Sequence, residues 1–191
     1  MKSAVFLDRD GTINIEVNYL SSLADLQLID GAAEGIAMLN RAGIPVAVIT
    51  NQSGVARGFF SQDFVNKVHM EMAALLDRKG ARVDAWYFCP HHPDAGVPPL
   101  RKACNCRKPG TALLEQAAKD LAIDVKKSYL VGDSITDMET AWRAGSHSIL
   151  VLTGHGQNTL ARLSGQLKKR IDHIATDLRD ACKWIKGRLG K

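Results

Sequence analysis

Apolar residues in this chain come in short dense runs, and between those runs they recur at every third or fourth position. The runs near 3–8, 45–50, 83–88, 128–132 and 147–152 are short, rich in β-branched residues and bounded by turn formers. They predict buried strands, with a shorter sixth near 173–175. The helical period appears near 32–42, 62–79, 111–121, 135–144 and 177–187, and a short helix is expected near 157–165. Ser61 suits the N-cap of the second helix. Gly43, Gly80 and Gly145 follow three helices at the place where a left-handed residue closes the last turn. Strands alternating with helices throughout predict an α/β fold, a parallel sheet covered by helices. One stretch, 89–109, breaks the rhythm with Pro, His, Cys and basic residues, and reads as a long loop between strand and helix.

The 191 residues fit a single domain, 1–191, that carries this loop. A 46% hydrophobic and 24% charged composition is that of an ordinary globular protein. No stretch approaches the ~20 apolar residues of a membrane span. The first strand begins at once, so no signal peptide is expected and the location expected is the cytosol. Nothing marks a dimer face, and a monomer is expected. The net charge of +5 is uneven: residues 160–191 carry +6 and the remainder −1. A basic tail can attract a polyanion. Without aromatic stacking positions it reads as a solvated helix face, with Trp184 packed, and no nucleic-acid partner is expected.

Candidate chemistry gathers at four strand ends, where open α/β sheets bind ligands. The first strand runs out into Asp8-Arg9-Asp10-Gly11-Thr12. Two carboxylates this close repel unless a cation lies beside them, and Mg²⁺ favours such hard oxygen ligands. One of them is then free to act as a nucleophile. The second strand delivers Thr50-Asn51-Gln52-Ser53, a hydroxyl and amides suited to phosphate oxygens. Arg107-Lys108 precede a helix, the lysine to neutralise transition-state charge and the arginine to offer a bidentate fork. The fourth strand ends in Gly132-Asp133, with Asp137 four residues on. Asp137 is expected to hold a metal-bound water or to orient Lys108. Each station alone is weak; their order is specific.

In that order the chain resembles the haloacid dehalogenase superfamily of phosphatases over nearly its whole length. The resemblance implies a Rossmann-like sheet with helices on both faces. It implies Asp8 as nucleophile, Asp10 as general acid and base, and Thr50, Arg107 and Lys108 completing the catalytic set. It also implies Mg²⁺ held by Asp8, the backbone carbonyl of Asp10, and Asp133.

Cys89-Pro90-His91-His92 followed by Cys104-Asn105-Cys106 has the spacing of a tetrahedral Cys₃His zinc site. His91 and His92 compete for the fourth place, and the family pattern favours His91. Such a zinc is structural and would hold Arg107-Lys108 over the phosphate site. Cys182 stands apart and reads as a packing residue.

No large cap insertion is visible, so loops must choose the substrate. The zinc-loop subgroup of the superfamily, which acts in sugar and amino-acid pathways, is the most similar. By that resemblance Glu16, Val17, Asn18, Tyr19, Thr50, Asn51, Gln52, Ser53, Arg107 and Lys108 contact a sugar phosphate. A sugar bisphosphate fits the positive groups, with Arg107 and Arg57 meeting the far phosphate. Histidinol phosphate would need acids at the entrance, for which Glu16 is the candidate. A DNA 3′-phosphate end and a non-catalytic zinc module are further alternatives. Two departures stand out. The second proline of the subgroup's RKP-x-PG is absent, so Thr111 is expected to cap the helix. Ser134 stands where some relatives carry a basic residue.

Overall fold

The computed structural model describes residues 1–189. Six strands form one parallel sheet: β1 (Val5–Leu7), β2 (Val46–Asn51), β3 (Ala85–Cys89), β4 (Tyr129–Gly132), β5 (His147–Val151) and β6 (His173–Ala175). Their order is β3-β2-β1-β4-β5-β6. The chain winds outward from β1 in one direction and then, from β4, in the other. That reversal opens a crevice at the carboxyl end of β1, where doubly wound sheets bind ligands.

The helices are α1 (Ala32–Arg41), α2 (Gln62–Asp77), α3 (Ala112–Asp120), α4 (Ile135–Ala144), α5 (Gly156–Arg162), α6 (Gly165–Lys168) and α7 (Leu178–Leu189). Alternation along the strands feeds two layers of core. Val5, Leu7 and Val48 face Ile36, Met72 and Ile185, while Phe6, Ala47 and Ile49 face Leu114, Ala117 and Ala141. Both faces of β1 are therefore covered, as an apolar run in a parallel sheet requires. Removing the Phe6 ring would cost about 3–5 kcal/mol.

The register puts the chemistry on one level. Leu7 lies opposite Val48 on one side and Val131 on the other. Asp8, Thr50 and Asp133 therefore emerge together at the same sheet edge.

Expected caps are present: Ser61 Oγ accepts from the Phe64 N–H at 3.1 Å. Gly43, Gly80 and Gly145 have φ of 69°, 70° and 74°. Three expectations are corrected. The helix expected near 157–165 ends early, at Arg162, because Leu163 is extended; Ser164 then caps a second helix through the Leu167 N–H. Thr111 does not cap α3; its hydroxyl donates to Glu115 instead, at 2.6 Å. Cys89 belongs to β3 rather than to the loop, so the cysteine cluster begins inside the sheet. Cys182 and Trp184 pack as expected, the indole stacking on His173 at 4.5 Å. No described helix is long and apolar enough to cross a membrane.

Candidate active site

Asp8 leaves β1 with its N–H on the Val131 carbonyl (2.9 Å), which ties the first station to the fourth. Its Oδ1 accepts from the Arg9 N–H (2.7 Å) and from Lys108 Nζ (2.8 Å). Its other oxygen accepts from no donor among the described residues. Lys108 is only 3% exposed, and its ammonium also meets Asp137 Oδ1 at 2.6 Å. Asp137 is fixed in turn: its Oδ2 accepts from the Ser134 N–H and hydroxyl (3.0 and 2.6 Å), forming the capping box of α4. Of its two expected roles, Asp137 thus fills that of orienting Lys108.

Asp133 is buried opposite Asp8. Its Oδ2 accepts from the His155 N–H at 2.7 Å. A side chain at Gly11 or Gly154 would collide with this carboxylate, so both positions need glycine's bare backbone, and both have positive φ.

Three carboxylates in one pocket carry a clear electrostatic signature. Asp8, Asp133 and Asp137 each offer an oxygen within 4.8 Å of the others. Burial pushes Asp8 up to about 7, with repulsion from Asp137 and Asp10 adding to it against the pull of Lys108. Burial also pushes Asp133 up to about 8, aided by Asp8 and Asp137. Lys108 stays firmly ammonium, because Asp137 and Asp8 outweigh the opposing effect of burial. With Asp137 committed to Lys108 and Ser134, Asp8 and Asp133 remain as an under-neutralised pair. A hard divalent cation fits that donor set.

Asp10 lies in different surroundings. Burial would raise its pKa, but Arg9, Asn14 and Gln52 overcome that and hold the carboxyl below its usual range. Gln52 Nε2 donates to both Asp10 Oδ2 and Thr50 Oγ1, each at 2.9 Å. This amide joins the second station to the first.

A cavity of about 310 Å³ opens above these groups. It is lined by Asp10, Glu16, Asn18 and Tyr19, by Asn51, Gln52 and Ser53, and by Arg107 and His155. Asn18 and Tyr19 hold left-handed φ of 53° and 78°, conformations that cost non-glycine residues of order 1 kcal/mol or more. The Tyr19 ring meets Phe59 edge-on at 4.8 Å. Val17 and Arg57 are not among the lining residues. Val17 is exposed, and Arg57 sits at the rim with its guanidinium 3.1 Å from His92 Nε2 and 5.9 Å from the Tyr19 ring. A more voluminous cleft, about 950 Å³ between α1 and α7, contains none of the four stations. Size alone therefore does not mark this site; the convergence of charged groups does.

The cysteine cluster closes beside it. Cys89, His91, Cys104 and Cys106 offer ligand atoms within 4.8 Å of one another. Sulfur pairs lie 3.1–3.5 Å apart, and His91 Nδ1 lies 3.2 Å from Cys106 Sγ. Tetrahedral zinc with bonds of about 2.3 Å would space its sulfurs at about 3.8 Å, a small expansion of this arrangement. His92 turns away, its Nδ1 accepting from the Asp94 and Ala95 N–H groups (3.1 and 2.9 Å). The geometry selects His91 over His92.

Sequence reasoning missed His155 and Arg9. The signal for His155 was a fifth strand end, the loop Thr153-Gly154-His155-Gly156 after β5. Arg9 lay hidden inside the aspartate motif.

Fold and site together define a phosphatase of the haloacid dehalogenase superfamily, and a HAD-hydrolase-like family model matches residues 105–181. The chain belongs to the D-glycero-D-manno-heptose-1,7-bisphosphate 7-phosphatase family. The enzyme of that name from Thermosynechococcus vestitus is 44% identical over 188 residues, covering 96% of this chain and 95% of the relative. In Photorhabdus laumondii, the D-glycero-beta-D-manno-heptose-1,7-bisphosphate 7-phosphatase is 40% identical over 185 residues, covering 96% of this chain and 95% of its own length. The D-glycero-alpha-D-manno-heptose-1,7-bisphosphate 7-phosphatase of the same organism is 42% identical over 151 residues, 78% of this chain and 82% of the relative. The crystal structure of D,D-heptose 1,7-bisphosphate phosphatase from B. bronchiseptica, complexed with magnesium and phosphate, has a TM-score of 0.87 at 34% identity. It covers 98% of this chain and 99% of its own.

Proposed function

We propose that this chain hydrolyses the C7 phosphate of D-glycero-D-manno-heptose 1,7-bisphosphate through an aspartyl-phosphate on Asp8, in heptose biosynthesis in the cytosol. The observation that carries this is the Lys108–Asp8 contact of 2.8 Å, with Asp10, two residues on, lining a cavity that Arg107 also lines. It leaves one Asp8 oxygen free for attack and puts a fixed cation where phosphate charge develops.

Asp8 attacks phosphorus as the bond to the C7 oxygen breaks, and Asp10 gives that oxygen its proton. Asp10 then takes a proton from water, whose oxygen attacks the phosphorus on Asp8. Inorganic phosphate leaves and the Asp8 carboxylate is restored. The surroundings of Asp10 favour its base form; a phosphate dianion beside it adds negative charge and pushes its pKa back up for the acid step. Thr50 and Lys108 hold the transferred phosphoryl group. Arg107 meets the C1 phosphate, with Arg57 at the rim.

Asp8, Asp133 and the Asp10 carbonyl would hold Mg²⁺, which would supply positive charge to the phosphoryl oxygens when bound. Cys89, His91, Cys104 and Cys106 would hold zinc, which would fix the loop that ends in Arg107-Lys108 in a structural role.

A phosphate-release assay with Mg²⁺ tests this, comparing both anomers of the heptose bisphosphate with histidinol phosphate and a 3′-phosphorylated oligonucleotide. Preference for a heptose bisphosphate is expected. Equal slow turnover of all four would sink the substrate assignment.

A further inference from the structure

Arg9 is 1% exposed, its charge carried into the interior behind the catalytic loop. A buried cation is costly unless its partners compensate. Its Nε and Nη2 donate to Asp10 Oδ1 at 3.2 and 2.9 Å, and Nη2 also reaches Asp10 Oδ2 at 2.8 Å. The same Nη2 donates to Gln52 Oε1 at 3.1 Å, while Gln52 Nε2 returns to Asp10 Oδ2 at 2.9 Å. Asn14 Nδ2 takes Oδ1 from the other side at 3.0 Å. Both carboxylate oxygens are thus gripped, and the group still opens onto the cavity.

We infer that Arg9 is the positioning residue for Asp10, its planar fork and the Gln52 amide fixing the carboxylate's orientation toward the leaving oxygen. Two donors in one rigid plane set both the position and the twist of a carboxylate, which a single ammonium cannot do. The inference rests on Asp10 acting as the acid in the proposed reaction. Arg9 itself has no access to substrate.

The test uses the leaving group. A sugar alkoxide must be protonated as its bond to phosphorus breaks; 4-nitrophenolate leaves without a proton. The quantity kcat/KM reports events up to that first departure. Arg9→Lys keeps the charge and loses the fork, and Arg9→Met loses both. For the heptose bisphosphate, kcat/KM should fall by about 10-fold in the lysine variant and about 100-fold in the methionine variant, within the range of general-acid contributions. For 4-nitrophenyl phosphate it should stay within about 3-fold. The ratio of the two values is independent of the fraction of folded enzyme, and the lysine variant serves alone if the methionine one is insoluble. Equal loss on both substrates, or no loss on either, would overturn the inference. If the wild type ignores the heptose bisphosphate, the substrate assignment fails separately. The ratio can then be read on any sugar phosphate the enzyme does cleave.

Discussion

Asn51 grips the Lys108 backbone from both sides: its Oδ1 accepts from the Lys108 N–H at 2.9 Å, and its Nδ2 donates to the Lys108 carbonyl at 3.1 Å. Asn51 is the last residue of β2, so this pair fastens the loop bearing the lysine to the rigid sheet. The lysine's reach to Asp8 depends on that anchor. Asn51→Ala should lower kcat by about 10- to 100-fold, the equivalent of about 1.4–2.8 kcal/mol. Steady-state kinetics alongside a melting curve checks this; an unchanged kcat in a folded variant would make the clamp dispensable.

Magnesium binding should depend on pH, and the sign is fixed. Without Mg²⁺, Asp8 is pushed up to about 7 and Asp133 to about 8, so both hold protons in the folded protein below those values. A raised carboxylate pKa contributes stability that is lost as pH rises through the folded value. Mg²⁺ binds the ionised pair and must displace protons to do so. The rise in Tm on adding Mg²⁺ should therefore be larger at pH 8 than at pH 6. Calorimetry in two buffers of different ionisation enthalpy should show proton release at pH 6.5. A Tm shift independent of pH would contradict the assignment of this pair.

The zinc loop makes a second prediction about metal. Burial pushes the Cys89 thiol up, so without a metal it stays protonated. Atomic emission should find one zinc per chain in the wild type and none in Cys106→Ser. Since Cys106 adjoins Arg107-Lys108, the variant should also lose most of its turnover while its sheet remains folded by circular dichroism. Full activity without zinc would remove the loop from the account.

His155 lines the cavity, as Glu16 does, and its backbone N–H donates to Asp133. His155→Ala should therefore leave Mg²⁺ affinity unchanged and raise KM for the bisphosphate several-fold, with kcat nearly constant. A loss of kcat with unchanged KM would place the side chain in the chemistry instead.

Much of this was legible in the chain, for identifiable reasons. Apolar runs such as Val46 to Ile49 have no partner but a sheet buried on both faces, and acids or hydroxyls after such runs must lie at one edge. The candidate zinc ligands could be read because Cys89 to Cys106 lie close in sequence, and the candidate magnesium ligands because Asp8 and Asp133 each follow a buried apolar run. What escaped was set by side-chain partners distant in sequence. Nothing local says that Asn51 turns to Lys108 or that Gln52 reaches Asp10. His155 escaped because its loop follows β5, which carries no acid.

The central claim is that Asp8 removes the phosphate at C7 and leaves the one at C1. ³¹P NMR of heptose 1,7-bisphosphate with enzyme and Mg²⁺ tests it most directly. The C7 ester resonance should give way to inorganic phosphate while the anomeric C1 resonance persists, and Asp8→Asn should leave both in place. Loss of the C1 resonance, or turnover surviving in Asp8→Asn, would contradict the account.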